Sequence, residues 1–382
     1  MKNKIRYAVV FSILLLIGII SINLYQPNKE QQVKGSIELL VNEDSYEYLV
    51  ECADNFMKLN DKTLINIKKL ENYNQITIKA QENTKIKVPN IAQIDRFNFE
   101  ELKLDDYEYY NKDDKLLDNY AKNFSKYRIN QVKYGDNSIG VPLTSRPLAF
   151  YVREDMLKSY GYKRDDMNTW DDVIQIGKKI YEKSNGKVSI INATGQDYED
   201  LLDLLTMESF SDDKTIEQIK LEVEAMIKNL RDNNILNFQS GGEFLARISS
   251  INAMREIMAL QETCEWSTGN VPSIKPGANK FFACEGDNLL VLNQNNDNEK
   301  LIEKFITYVI TNNKETVKYV KQGKFFSSYL YTYSSKEIEE DVKNFVGKSP
   351  LVVLSNIEEK TPEINDYDKY IKIKQELRSA NS

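Results

Sequence analysis

Histidine is missing from all 382 residues. Its absence removes the commonest metal ligand and the commonest general base, so triads built on histidine are excluded and a zinc enzyme is disfavoured. Cysteine is scarce: Cys52, Cys264 and Cys284 show no metal-ligand spacing. Cys52 falls among Leu49, Val50, Ala53 and Phe56 and reads as a small buried apolar residue. Cys264 and Cys284 could pair in an oxidising compartment, and their separation leaves that open. No GxGxxG follows a strand pattern, and no phosphate loop, GxSxG, HExxH or CxxC occurs. The 58 acids allow carboxylate pairs, but none stands out as a glycosidase pair. An excess of positive charge is also lacking, and the net charge of −7 argues against a nucleic-acid partner.

What is present fits a soluble globular protein, with 41% hydrophobic and 29% charged residues. A chain of 382 residues can form more than one core, so two lobes are the better expectation. At the start, Lys2, Lys4 and Arg6 precede an apolar run over 8–24. Such a run, about seventeen residues, is at the short limit for a bilayer span. The basic flank orients the start inside and the remainder outside. Ser21-Ile22-Asn23-Leu24-Tyr25 is a poor cleavage site, and no cysteine stands where a lipoprotein signal needs one. Residues 1–25 are therefore expected to form an uncleaved signal anchor rather than a cleaved signal peptide. A polar linker over 26–35 follows, and folding begins near Ser36.

The folded part opens with an apolar strand over 36–41 and a polar turn over 42–45. Asp44 and Glu47 there stand at capping-box spacing. A helix to residue 59 and a strand over 62–70 complete a β-α-β unit, which predicts a parallel sheet. Residues 71–87 fit either helix or strand. A third strand over 88–95 ends on Asp95 and Arg96. In open α/β sheets ligands bind beyond the carboxyl ends of strands. The tips at 42–45, 95–97 and 144–146 could meet there. Residues 105–134 are charged, rich in tyrosine and helical in pattern.

The most informative stretch is GVPLTSRPLAFYVREDMLKSY at 140–160. Val141 is pushed into extended backbone by Pro142. A polar tripeptide, Thr144-Ser145-Arg146, separates it from the nearly continuous apolar run 148–152, which reads as a strand covered on both faces. A helix follows and stops at Gly161. Thr169 and Asp172 form a capping-box pattern ahead of a helix whose stripe includes Trp170, Val173 and Ile180. Later come a strand over 188–191, a polar loop over 193–198, and helices over 201–207 and 215–231. Residues 251–260 fit helix or strand, and Trp266 falls in a polar loop. Residues 281–292 read as strand, loop and strand. Helices follow from Asn298 to Gly323, and two more flank a loop at Pro350.

The pieces GVPLTSRPLAFYVREDMLKSYGY and NTWDDVIQIGKKI resemble the extracellular solute-binding proteins of ABC importers, in the sugar- and oligosaccharide-binding, maltose-binding-protein-like branch. The strand carrying Pro89-Asn90 and the segment 279–323 extend the resemblance. It implies an α/β fold of two lobes with strands crossing at a hinge. Lobe one would comprise 36–145 and 283–325, and lobe two 147–282 and 326–382. It implies a binder rather than an enzyme, with no cofactor, capturing a carbohydrate-like solute and delivering it to an ABC permease at the outer face of the membrane. Positions matching the family's ligand loops are Asn42, Glu43, Asp44, Asp95, Arg96, Ser145, Arg146, Gln196, Asp197 and Trp266. Asp44 could equally cap its helix, Arg146 pair with an acid, Gln196 and Asp197 serve a turn, and Trp266 fill a core. The missing lipobox cysteine leaves the anchoring mode open, and 284–288 departs from the family's usual Gly-Gly form. A sensory module of the same fold and a glycan-acting hydrolase are the alternatives.

Overall fold

The computed structural model describes residues 33–72, 76, 89–101, 115–134, 137–138, 140–292 and 298–381. The apolar run 8–24, most of the linker and nearly all of 73–88 lie outside the described residues, as do 102–114. Among the described residues, no helix is long and apolar enough to cross a membrane.

Strand β1 (Gly35–Val41), helix α1 (Glu43–Leu59) and strand β2 (Thr63–Lys69) form the expected unit, with β1 and β2 parallel from Gly35↔Thr63 to Val41↔Lys69. Helix α1 buries Tyr48, Leu49, Cys52, Ala53 and Phe56, one face at helical spacing. It begins directly after Asn42, so Glu43 and Asp44 lie in its first turn rather than in a preceding turn. Next come β3 (Ile91–Ile94), α2 (Arg96–Glu101), α3 (Lys115–Tyr120), α4 (Lys126–Val132), β4 (Lys133–Tyr134), β5 (Asn137–Ser138) and β6 (Val141–Pro142). The polar tripeptide is itself a strand, β7 (Thr144–Pro147), followed by β8 (Ala149–Arg153).

Then follow α5 (Glu154–Ser159), α6 (Trp170–Lys183), β9 (Val188–Asn192), α7 (Gln196–Ser209), α8 (Ile216–Asp232), β10 (Leu236–Asn237) and β11 (Glu243–Ser249). Helix α6 has its capping box: the Thr169 hydroxyl accepts from the Asp172 N–H, and Asp172 accepts from the Thr169 N–H at 2.9 Å. Residues 251–259 resolve as helix α9 (Ile251–Ala259), and Trp266 lies on a strand, β12 (Trp266–Gly269). The chain continues through β13 (Ala283–Cys284), β14 (Asn288–Val291), α10 (Glu299–Thr311), α11 (Asn313–Lys321), β15 (Phe326–Ser327), α12 (Pro350–Lys360) and α13 (Tyr367–Asn381). Cys52, Cys264 and Cys284 are buried free thiols.

Two five-stranded sheets result, ordered β2-β1-β3-β14-β6 and β10-β9-β11-β8-β12. Both are mixed rather than parallel. β14 runs antiparallel to β3, and β8 antiparallel to β11. Each of these strands enters its sheet directly from a third, three-stranded sheet, β13-β7-β15. A chain that arrives through a crossing meets the sheet from the opposite end, which sets the antiparallel direction. β8 is buried on both faces, as its apolar run predicted: Leu148, Phe150 and Val152 pack into one core, Ala149 and Tyr151 into the other.

Candidate functional site

The crossing strand β7 organises the site. Thr144 reaches into the first sheet's end and Arg146 into the second's. Two residues of strand separate these side chains by roughly 6.6 Å along the backbone.

On the first side the centre is Asp287. Its Oδ2 accepts from Gln93 Nε2 at 2.8 Å, Asn42 Nδ2 at 3.1 Å and Thr144 Oγ1 at 3.4 Å. Its backbone carbonyl accepts from the N–H groups of Leu143 and Thr144 and from Arg128 Nη2. Asn42 therefore turns its side chain away from the helix it precedes and leaves α1 without a side-chain cap. Gln93 ties the cluster together by accepting from the Asn42 N–H at 3.1 Å and donating to Ser45 Oγ at 3.1 Å. Asp95, at the tip of β3, accepts from the N–H and side-chain amide of Asn98. Burial pushes its carboxyl up to about 6, and the nearby Asp287 adds to the rise. Gly286 lets the chain approach β7 this closely, since a Cβ there would lie 1.9 Å from the Thr144 carbonyl oxygen.

On the second side Arg146 donates to the buried Asp200, which also accepts from Gln196 Nε2 at 3.0 Å and Ser249 Oγ at 2.9 Å. Burial raises the Asp200 carboxyl, and Arg146 pulls it back. Beside this group, Asp197 takes a two-pronged contact from Arg247, at 2.6 and 2.9 Å, and a third bond from Asn192 at 2.7 Å. These residues sit at the carboxyl ends of β9 and β11 and in the first turn of α7. That helix starts at Gln196, earlier than its apolar pattern suggested, because Gly195 turns the chain at φ +53°. The same rim carries Tyr198 and Phe238, rings 5.9 Å apart at 62°, with Phe238 43% exposed.

The structure thus brings Asn42 and Asp95 to one polar face, Ser145 to the crossing, and Arg146, Gln196 and Asp197 to the other face. Ser145 is buried and its hydroxyl contacts Ser328 Oγ and Glu358. The remaining positions point elsewhere. Glu43 pairs on the surface with Lys69, and Asp44 with Arg255 of α9. Arg96 is buried against Glu100, the Lys133 carbonyl and Asp368. Trp266 is buried and pairs with Arg153, at the end of β8 away from the crossing, under residues 344–346.

Asp287, Gln93, Asp200, Arg247, Tyr198 and Phe238 were not singled out by sequence. The signal for Asp287 was the polar Asp-Asn pair opening the apolar run 289–291. The signal for Arg247 was a positive charge interrupting the apolar interior of the strand-like segment Glu243–Ser249. Chemically, both faces offer carboxylates beside amides and a guanidinium. Asp287 Oδ1 and the Nε and Nη1 of Arg146 engage no described group. Among the described residues, no cluster of three or more Asp, Glu, Cys or His could hold a metal ion.

Residues 51–346 match the family of bacterial extracellular solute-binding proteins. A stretch of 72 residues is 33% identical to the lactose-binding protein of Rhizobium radiobacter, a match spanning 18% of this chain and 17% of that relative. The structure of the GacH receptor of Streptomyces glaucescens, solved unliganded and with acarbose, superposes with a TM-score of 0.67 at 13% identity, over 92% of this chain and 94% of that one. The sugar-binding protein MalE from Xanthomonas citri gives a TM-score of 0.68 at 13% identity, over 91% and 93%. A binding protein of B. animalis subsp. lactis, solved with beta-1,6-galactobiose, gives 0.63 at 14% identity, over 91% and 97%. At such identities the likeness is one of fold, and it matches the two-lobed architecture found here. The family match runs through all three crossings and every described strand but β1, and the chain belongs to the bacterial extracellular solute-binding proteins.

Proposed function

We propose that this protein captures a carbohydrate-like solute between its two lobes and delivers it to the permease of an ABC importer. In this reading residues 1–25 tether it to the outer face of the membrane, and it binds without turning its solute over. Lobe one is 36–145 with 283–325, and lobe two is 147–282 with 326–382. The observation that carries the reading is the pair of polar faces, Asn42-Gln93-Asp287 and Arg146-Asp200-Gln196, met by Thr144 and Arg146, two residues apart along β7. A solute touching both faces binds the closed arrangement better than the open one. Its differential affinity is what shifts the lobes together.

Carboxylates, amides and a guanidinium suit sugar hydroxyls, which both donate and accept. The exposed ring of Phe238 beside Tyr198 suits the apolar face of a sugar ring. The sugars named with the related structures and the lactose-binding relative point the same way. Thermal-shift screening of the purified protein against monosaccharides, polyols and oligosaccharides tests the reading, since a ligand of the native state raises the melting temperature. A confirmed sugar should bind more weakly to Phe238→Ala and Arg146→Ala. If no sugar or polyol raises the melting temperature, the carbohydrate reading fails.

A further inference from the structure

The chain enters the first lobe at the start of β1, and that end of the lobe is both apolar and basic. Gly35 donates its N–H to the Lys62 carbonyl at 3.1 Å and pairs with Thr63, so the entering chain lies against the turn between α1 and β2. Thr63 donates its N–H and its hydroxyl to the Asn60 carbonyl, at 3.0 and 2.7 Å, which holds that turn closed. Leu59 ends α1 on one side of the turn, and Leu64 follows on β2 on the other. At 65% and 60%, they are the two most exposed large apolar side chains among the described residues.

Charge at this end runs against that of the whole chain. Residues 58–69 hold four lysines, Lys58, Lys62, Lys68 and Lys69, and one acid, Asp61, in a protein of net charge −7. Lys68 pairs with Glu38 and Lys69 with Glu43. Lys58 donates to the neutral side chain of Asn55 at 3.3 Å, and neither it nor the exposed Lys34 and Lys62 pairs with a described acid. A single exposed leucine needs no explanation. Two of them beside three cations without acid partners, where the chain enters the fold, mark an interaction surface. Asn42 lies beyond the opposite end of β1, roughly 20 Å away along the strand, so an occupant here leaves both polar faces free.

We propose that this turn is a membrane-contacting surface, with Leu59 and Leu64 entering the lipid interface and Lys34, Lys58 and Lys62 meeting the phosphates of anionic lipids. The proposal rests on the tether in the function proposed above, and not on the identity of the solute. Ten residues, 25–34, separate the apolar run from Gly35, and they span at most about 35 Å. The tether thus holds this end of the first lobe near the bilayer, which makes the bilayer its occupant. Apolar insertion combined with attraction of lysines to anionic lipid is a general mode of surface binding. A small patch suffices, because tethering keeps its effective concentration at the membrane high.

Trp170 and Trp266 are 1% and 4% exposed, so a tryptophan added on this turn stands out from a shielded background. The full chain carrying Leu64→Trp, or separately Leu59→Trp, is inserted into nanodiscs of phosphatidylcholine brominated on its acyl chains, with and without phosphatidylglycerol. The expected result is bromine quenching of either new tryptophan, stronger with phosphatidylglycerol and weakened by salt. Leu221→Trp, at a position 56% exposed on α8 of the second lobe, should not be quenched. Lys58→Glu/Lys62→Glu in the Leu64→Trp chain should abolish the phosphatidylglycerol effect. The proposal is overturned if both tryptophans on the turn are quenched no more than Leu221→Trp, or if phosphatidylglycerol makes no difference. An emission shift that follows protein concentration in detergent without lipid would overturn it in favour of a second copy of the chain. A chain that does not enter nanodiscs, read by size exclusion, overturns the tether and this proposal together, while the sugar screen by thermal shift stands or falls separately.

Discussion

Arg146→Ala separates the stability of the second polar face from its ligand chemistry. Asp200 has a side chain 1% exposed, and its cationic partner Arg146 is 31% exposed. Removing one member of a fully buried pair leaves a stranded charge and costs about 3–5 kcal/mol. Here the guanidinium is partly solvated, and Gln196 and Ser249 still donate to Asp200 at 3.0 and 2.9 Å. The expected loss is therefore lower, about 2–3 kcal/mol. Urea unfolding followed by tryptophan fluorescence would read it as a lowered midpoint. Asp200→Asn in the same chain removes the stranded charge, keeps the shape, and should restore most of that loss.

The pH dependence has a definite sign. Burial already holds the Asp200 carboxyl above its ordinary value, and without Arg146 it rises further. An acid raised in the folded state binds its proton more tightly folded than unfolded, so stability falls as pH climbs from the unfolded to the folded value. The destabilisation of Arg146→Ala should accordingly shrink as pH is lowered from neutral toward about 4. An unchanged midpoint for Arg146→Ala at neutral pH would refute the reasoning. So would an Arg146→Ala/Asp200→Asn double variant no more stable than Arg146→Ala alone.

Two further outcomes are expected. Lys374 is buried between Asp203, at 2.9 Å, and Glu285, so Lys374→Met should cost about 3–5 kcal/mol by denaturant unfolding. Burial pushes Glu285 up, but Lys374 overrides it and holds the carboxyl below its ordinary value. The stability it contributes is thus present above the unfolded value and lost as pH falls through the folded one, and Lys374→Met should flatten this acid limb. Thr169→Ala removes the hydroxyl that caps α6 and should lower stability by about 1 kcal/mol in thermal melts read by circular dichroism, leaving solute affinity unchanged.

The elements legible in the sequence are those whose cause is local. Helix α6 declares itself through Thr169, Asp172 and an apolar stripe, and β8 through an unbroken apolar run. Both are specified by residues within a few positions of each other. β11 went unread because Arg247 interrupts its apolar pattern, and the charge is met by Asp197, fifty residues away, and by Glu256 of the following helix. The cluster at Asp287 is still less local, since Asn42 and Asp287 are 245 positions apart. Trp266 read as either a ligand-loop position or a core residue; it is buried, and the chain that pairs with it, residues 344–346, arrives late in sequence. Asn42, Ser145 and Arg146 were named through the family resemblance, whereas their partners Asp287, Ser328 and Asp200, which distant parts of the chain supply, were not.

The same distinction bears on how the lobes move. Pro142 before β7 and Pro147 at its end suggest a stiff connection, with bending left to 281–283 and 325–328. Yet those segments carry β13 and β15, and both pair with β7: Ala283 and Cys284 oppose Pro147 and Arg146, while Phe326 and Ser327 oppose Ser145 and Thr144. A bend in one crossing would shear its hydrogen bonds to β7, each unmet buried group costing about 1–3 kcal/mol. The residues just beyond the pairs are also held. Glu285 is fixed by Lys374, and Ser328 donates its N–H to the Leu143 carbonyl and shares its hydroxyl with Ser145 and Arg128. Rotation of one lobe against the other must therefore be shared among all three crossings as small twists of one sheet. Ser145, at the middle strand's centre, then becomes the point about which the Asp287 face and the Asp200 face approach each other.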